Sequence, residues 1–121
     1  MKGSTRLLGE VGEKKALGYL EEKGYQFLGS NFHTRWGELD LIMETQSHIV
    51  FVEVKQRLGT SHGEPEEAVT AYKQKHLTRA ALIYLKGRPL TKGIRFDVIS
   101  LSPSGIRHIE NAFMVEGPYY Y

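Results

Sequence analysis

Glu38-Leu39-Asp40-Leu41-Ile42-Met43, then Glu44-Thr45-Gln46-Ser47, then His48-Ile49-Val50-Phe51-Val52-Glu53-Val54-Lys55 is the stretch on which the fold turns. Its outer segments are rich in β-branched and apolar residues, and its middle is polar. Two strands joined by so short a connection are most simply an antiparallel hairpin. Side chains alternate along a strand. Glu38, Asp40 and Ile42 therefore share one face of the first strand, and Ile49, Phe51, Glu53 and Lys55 share one face of the second. Closing the turn with Met43 opposite His48 sets Asp40 against Phe51 and Glu38 against Glu53. Asp40 then lies diagonal to Glu53 at roughly 7–8 Å. A slip of one residue would turn one strand over and scatter the charges.

Outward from the hairpin, Leu7 to Lys23 is periodic at helical spacing. Leu8, Gly9, Gly12, Ala16, Leu17, Tyr19 and Leu20 gather on one side, and Gly24 supplies a stop. Gly9 and Gly12 allow close approach of a neighbouring element. Tyr25 to Phe32 reads as a strand, and His33-Thr34-Arg35-Trp36-Gly37 as a turn. Beyond the hairpin, Gln56 to Glu64 is a polar loop. A second helix is expected to open at Pro65 and Glu66-Glu67, with Ala68, Val69, Tyr72, Leu77, Ala80, Ile83 and Tyr84 as its apolar stripe and Gly87 at its end. Ile94 to Ser100 and Ile106 to Ile109 complete the series. The order is helix, three strands, helix, two strands, which predicts a mixed sheet flanked by helices with the second helix crossing over to the fourth strand.

At 121 residues, with no repeat or linker-like tract, the chain is expected to form one domain over residues 1–121. No apolar run is long enough for a membrane span or a signal peptide, so the expectation is a cytoplasmic protein with no membrane partner. There are no cysteines, which excludes disulfides, thiolate metal sites and a cysteine nucleophile. The five histidines lack ligand-like spacing, so zinc has no support. A net charge of +2 is too small to mark a nucleic-acid binder by itself.

Glu-x-Lys is a common accident of composition. Glu53-x-Lys55 stands out because Ile49 to Val54 is apolar everywhere except Glu53, and unpaired carboxylates are rare in such strands. Carboxylates gathered at one end of a sheet repel one another, and a bound cation would compensate. Magnesium suits Asp40, Glu53 and the backbone carbonyl of Val54 as ligands. Lys55 could hold a water or counter charge on a phosphate. Glu13 lies on the flank of the first helix's apolar face, where it could lean over the sheet towards Asp40 or stand as an ordinary rim glutamate.

These residues carry a resemblance. Gly9-x-x-Gly12-Glu13 with Ala16 and Tyr19-Leu20, Gly24-Tyr25, Asn31-Phe32, Gly37 to Ile42, Phe51-Val52-Glu53-Val54-Lys55-x-Arg57, Glu67-Ala68-Val69 with Lys73, and Arg95-Phe96-Asp97-Val98 occur in an order that resembles the bacterial YraN-type family. That family is classed with the PD-(D/E)XK nucleases and is similar to Holliday-junction resolvases. The resemblance implies a restriction-endonuclease-like αβββαβ core and metal-dependent cleavage of nucleic acid, without naming the substrate. The leading expectation is a Mg2+- or Mn2+-dependent endonuclease on DNA, selective for branched or damaged structures. Asp40, Glu53 and Lys55 would be its catalytic residues, with Glu13 as a helix-borne acid and metal ligand and Glu38 in support. A leucine precedes Asp40 where the motif's name has proline. Resolvases act as dimers, so analogy also implies a homodimer. Two alternatives fit the same residues: a catalytically silent nucleic-acid-binding module, and a structural or interaction protein.

Arg57, Lys73, Arg35, Lys75 and Arg79 could line a phosphate-binding rim, which gives affinity without sequence specificity. Trp36 could stack on a base or plug the sheet edge. Tyr119-Tyr120-Tyr121 reads as an edge-packing tail.

Overall fold

The hairpin turn is tighter than its polar residues suggest. In the computed structural model, which describes residues 2–57 and 69–114, the Thr45 N–H donates to the His48 carbonyl at 2.9 Å. The Thr45 hydroxyl accepts from the N–H groups of Ser47 (3.2 Å) and His48 (3.0 Å). This side chain closes the turn around Gln46 and Ser47 alone. The ladder therefore runs Glu44↔Ile49, Met43↔Val50, Ile42↔Phe51 and Leu41↔Val52. The expected pairing of Asp40 with Phe51 and Glu38 with Glu53 is corrected by two residues. An even shift keeps each strand's faces, and extended by one step it sets Asp40 beside Glu53.

The element order is α1 (Lys2–Glu22), β1 (Gln26–Thr34), β2 (Gly37–Glu44), β3 (His48–Gln56), α2 (Ala71–Leu85), β4 (Gly93–Ser102) and β5 (Gly105–Phe113). The sheet has spatial order β1-β2-β3-β4-β5. Only β3 and β4 run parallel, joined through α2, while the other neighbours are antiparallel. This is the expected mixed sheet flanked by helices, consistent with an αβββαβ-type core. Among the described residues no helix is long and apolar enough to cross a membrane.

Helix α1 ends as Gly24 requires. With φ at +93°, Gly24 donates to Glu21 and Tyr25 to Leu20, each at 3.0 Å, which satisfies the last carbonyls. Gly12 is buried against the sheet, where a Cβ would lie 3.2 Å from Leu101 Cδ1 and 3.0 Å from the Gln56 side chain. The expected opening of the second helix at Pro65 to Ala68, most of the Gln56–Glu64 loop and the C-terminal tyrosines lie outside the described residues. Within them, α2 starts later than expected, at Ala71, because the Thr70 hydroxyl accepts from Lys73 N and acts as the N-cap.

Two apolar clusters cover the two faces of the sheet. Ala16 and Leu20 of α1 pack with Leu41, Met43, Val50, Val52, Ile99 and Leu101. Leu77, Ala80, Ala81 and Leu85 of α2 pack with Leu39, Ile42, Phe51, Phe96 and Val98. Burial of each large side chain contributes roughly 1.5–3 kcal/mol. Two members of the expected α2 stripe do not join the core. Tyr72 is 71% exposed and Ile83 is 40% exposed, because they fall on the stripe beside the inward one.

Leu39 and Leu41 should share a face, yet they belong to opposite clusters. The expected alternation of Glu38, Asp40 and Ile42 therefore breaks at Asp40. The break matches Asn31 across the β1–β2 ladder, between Ser30↔Leu41 and Phe32↔Leu39, whose φ is +51°. Asparagine tolerates that conformation better than most side chains.

Candidate metal and acid–lysine centre

Where the β2–β3 ladder ends, side chains replace backbone partners. Asp40 Oδ2 accepts from the Val54 N–H at 2.9 Å, which fixes the carboxylate beside Glu53. Val54 thus meets Asp40 through its N–H. Glu13 reaches in from α1, and Glu38 from the start of β2. One ligand oxygen from each of Glu13, Glu38 and Asp40 lies within 4.8 Å of the others, and all three residues are half-buried. Asn31 ties the first two together. Its Nδ2 donates to Glu13 at 2.9 and 3.2 Å and to Glu38 Oε1 at 2.7 Å. Asn31 is therefore part of the site; the sequence marks it as an asparagine inside a strand and as part of the Asn31-Phe32 segment, without a role.

Glu53 is 8% exposed and forms an ion pair with Lys73 of α2. Lys73, expected at a phosphate-binding rim, instead reaches the acidic centre. Lys55 adjoins the same pair. The Lys73 ammonium, then burial, push the Lys55 pKa down. Lys73 loses from burial, but hydrogen bonds to Glu53 and Lys55 and the charges of Glu53 and Asp40 outweigh that and hold its pKa up. Burial first, then the Glu53 carboxylate, push Asp40 from an ordinary 3.8 up to about 8, against the lowering effect of the Val54 N–H. Glu13 is also raised, by burial foremost and by Glu38, Glu10 and Glu53, despite its Asn31 hydrogen bond. The structure thus brings Glu13, Glu38, Asp40, Glu53, Lys55 and Lys73 into one centre.

The remaining basic residues are dispersed. Arg79 and Arg35 lie over the Trp36 ring, at 4.3 and 5.2 Å from its centroid. Lys75 is exposed. Arg57 lines a groove of about 390 Å³ with Lys15, Gln56, Leu101 and Ser102.

A second polar cluster, not anticipated as such, lies on the α1 face of β4. Asp97 is 1% exposed. Its carboxylate accepts from Arg95 Nε and Nη2 (both 2.8 Å), His108 Nε2 (2.7 Å) and the Asn111 N–H (2.9 Å). Burial raises its pKa, but the His108 and Arg95 hydrogen bonds and the Asn111 N–H prevail and hold it below the ordinary value. Arg95 also donates to the Tyr25 hydroxyl at 2.5 Å, linking β4 to the end of α1.

The acidic trio's oxygens suit a hard divalent cation in a mixed α/β scaffold. Residues 12–101 match the model described as "Uncharacterised protein family UPF0102". The chain belongs to that family. A UPF0102 protein of Syntrophomonas wolfei is 52% identical over 114 residues, covering 90% of this chain and 99% of the relative. A Thermodesulfovibrio yellowstonii UPF0102 protein is 45% identical over 88% of this chain and 95% of its own length. One from Geobacter metallireducens is 47% identical over 90% and 93%, respectively.

Proposed function

We propose that the protein is a metal-dependent nuclease of the PD-(D/E)XK superfamily, related to the resolvases, which hydrolyses phosphodiester bonds in DNA. The observation that carries this is the convergence of Glu13, Glu38 and Asp40 within 4.8 Å, next to buried Glu53 and its two lysines. The donor set fits Mg2+ or Mn2+. All its ligands are carboxylate oxygens, and Asp40, raised to about 8 beside Glu53, lacks the positive charge that a cation provides. Glu13, Glu38 and Asp40 would hold the ion, with Glu53 beside them. Once bound, it would supply Lewis acidity towards a phosphate oxygen.

The chain's own groups do the rest. The Val54 N–H and Asn31 orient the carboxylates before substrate arrives. Lys73 stays charged and holds Glu53 in place. Lys55 holds its proton less tightly than an ordinary lysine, so it exchanges a proton with water more readily. In hydrolysis, a water oxygen bonds to phosphorus, the bond to the leaving sugar oxygen breaks, and that oxygen takes a proton. Arg57, Lys75, Arg35 and Arg79 would contact phosphates along the approach, and a homodimer would set two such centres on paired strands.

The test is cleavage of branched, flapped and single-stranded DNA with Mg2+ or Mn2+. Asp40→Asn and Lys55→Ala should each lower the rate by roughly 10²–10³-fold. Cleavage that survives both substitutions refutes the assignment. One observation favours a second reading, a nucleic-acid-binding module without turnover: Glu53 is already neutralised by Lys73. That reading predicts salt-sensitive DNA binding and no cleavage with either metal.

A further inference from the structure

The most exposed large apolar side chain described in full on the helices, Tyr72 at 71%, is not a stray surface residue. Its ring lies 4.1 Å from the His76 ring, tilted by 33°. His76 meets Trp36 edge-on at 5.8 Å, and its Nδ1 is 2.9 Å from the Trp36 carbonyl oxygen. Trp36 in turn lies under Arg79 and Arg35. Tyr72, His76 and Arg79 follow one another at helical spacing, so α2 presents them as a single stripe. The β1–β2 turn is clamped against that stripe, and the Thr34 hydroxyl holds Trp36 N at 3.0 Å. The pile is thus anchored at its Trp36 end and open at Tyr72.

We infer that this pile is a stacking platform for an unpaired base of a single-stranded nucleic acid segment. An aromatic face in water is unfavourable unless something covers it, and the chemistry around this one selects the cover. The arginines at its base and Lys75 on the same helix favour a polyanion. A planar ring held by a neighbouring ring suits a base, because every base offers a π-face. Lys73, next in sequence to Tyr72, reaches Glu53, so the platform and the acidic centre are joined through one turn of α2. The inference rests on the nuclease reading for its location and deepens it, since it makes the substrate one with unpaired bases near the scissile phosphate.

The test is binding by the full chain in the presence of a chelator, which prevents cleavage. Fluorescence anisotropy compares end-labelled oligo-thymidine, oligo-uridine, an abasic deoxyribose-phosphate oligomer of equal length, and duplex DNA. Base-bearing single strands should bind roughly tenfold more tightly than the abasic strand. Tyr72→Ala should abolish that difference, and Tyr72→Phe should keep it. Trp36, the chain's single tryptophan, should change emission with the base-bearing probes and not with the abasic one. The thymidine and uridine arms distinguish DNA from RNA as the source of the base. Equal affinity for abasic and base-bearing strands, indifference to Tyr72→Ala, or no binding of any probe would overturn the inference. Base-selective binding without cleavage under either metal would leave the platform standing and remove the nuclease reading alone.

Discussion

Asp40 and Asp97 occupy matching places and end in opposite states. Each lies on an inner strand beside an edge strand, and each is met by an asparagine with positive φ, Asn31 at +51° and Asn111 at +53°. Each accepts one backbone N–H at 2.9 Å. Around Asp97 the other partners are Arg95 and His108, and its pKa falls. Around Asp40 they are Glu53, Glu38 and Glu13, and its pKa rises to about 8. Burial opposes ionisation in both, so the sign is set by company alone. A buried acid surrounded by donors is satisfied and holds strands together. One surrounded by other acids holds its proton and is a group that could take up a cation.

The largest effect should come from breaking the satisfied member. Asp97→Ala leaves half-buried Arg95, the His108 ring and the Asn111 N–H without their acceptor, and should cost about 3–5 kcal/mol in urea unfolding. Asp40→Asn, measured without metal at neutral pH, should be neutral or stabilising, because the side chain no longer has to take up a proton to sit among the other acids. Equal losses in the two variants would erase the contrast. Next in size is the response to cation. At a hundredfold excess over its dissociation constant, Mg2+ or Mn2+ should stabilise the wild type by roughly 2.7 kcal/mol, read as a rise in Tm, and should do little for Asp40→Asn.

The sharpest test of the comparison is the pH profile in chelator. Asp40 binds its proton more tightly folded than unfolded, so stability should fall as pH rises from the ordinary 3.8 to about 8. Asp97 works the other way. Its contribution is complete above the ordinary 3.8 and should be lost as pH drops below it towards the depressed folded value. Asp40→Asn should flatten the upper limb and leave the acid limb unchanged, as followed by thermal unfolding.

The element order and the β2–β3 hairpin were legible because they follow from apolar periodicity and from Gly24, whose turn needs positive φ. The acidic centre was half legible. Asp40, Glu53 and Lys55 stand out as charges in apolar strands, and an even register shift sets Asp40 beside Glu53 although the alternation of β2 breaks at Asp40. The shift itself could not be read, because it depends on one hydroxyl, Thr45, bonding back to its own turn. The kink at Asn31 was hidden for a similar reason, since a local φ leaves no periodic trace. Tyr72 was assigned to the core because its spacing fits an apolar stripe; only the packing of α2 shows that the neighbouring stripe faces inward. Asp97 was visible but mute, as its partners His108 and Asn111 come from the next strand, β5.

The two asparagine kinks carry one more consequence. They fall on β1 and β5, which are the outer strands of the sheet, and each interrupts its strand's regular course. The β4–β5 pairing breaks register between Phe96 and Val98, and the β1–β2 pairing also shifts between Phe27 and Gly29. Neither border therefore offers a straight row of free amide and carbonyl groups on which a foreign strand could zip up. Features that shape the surroundings of Asp40 and Asp97 thus also blunt both edges of the sheet against strand addition.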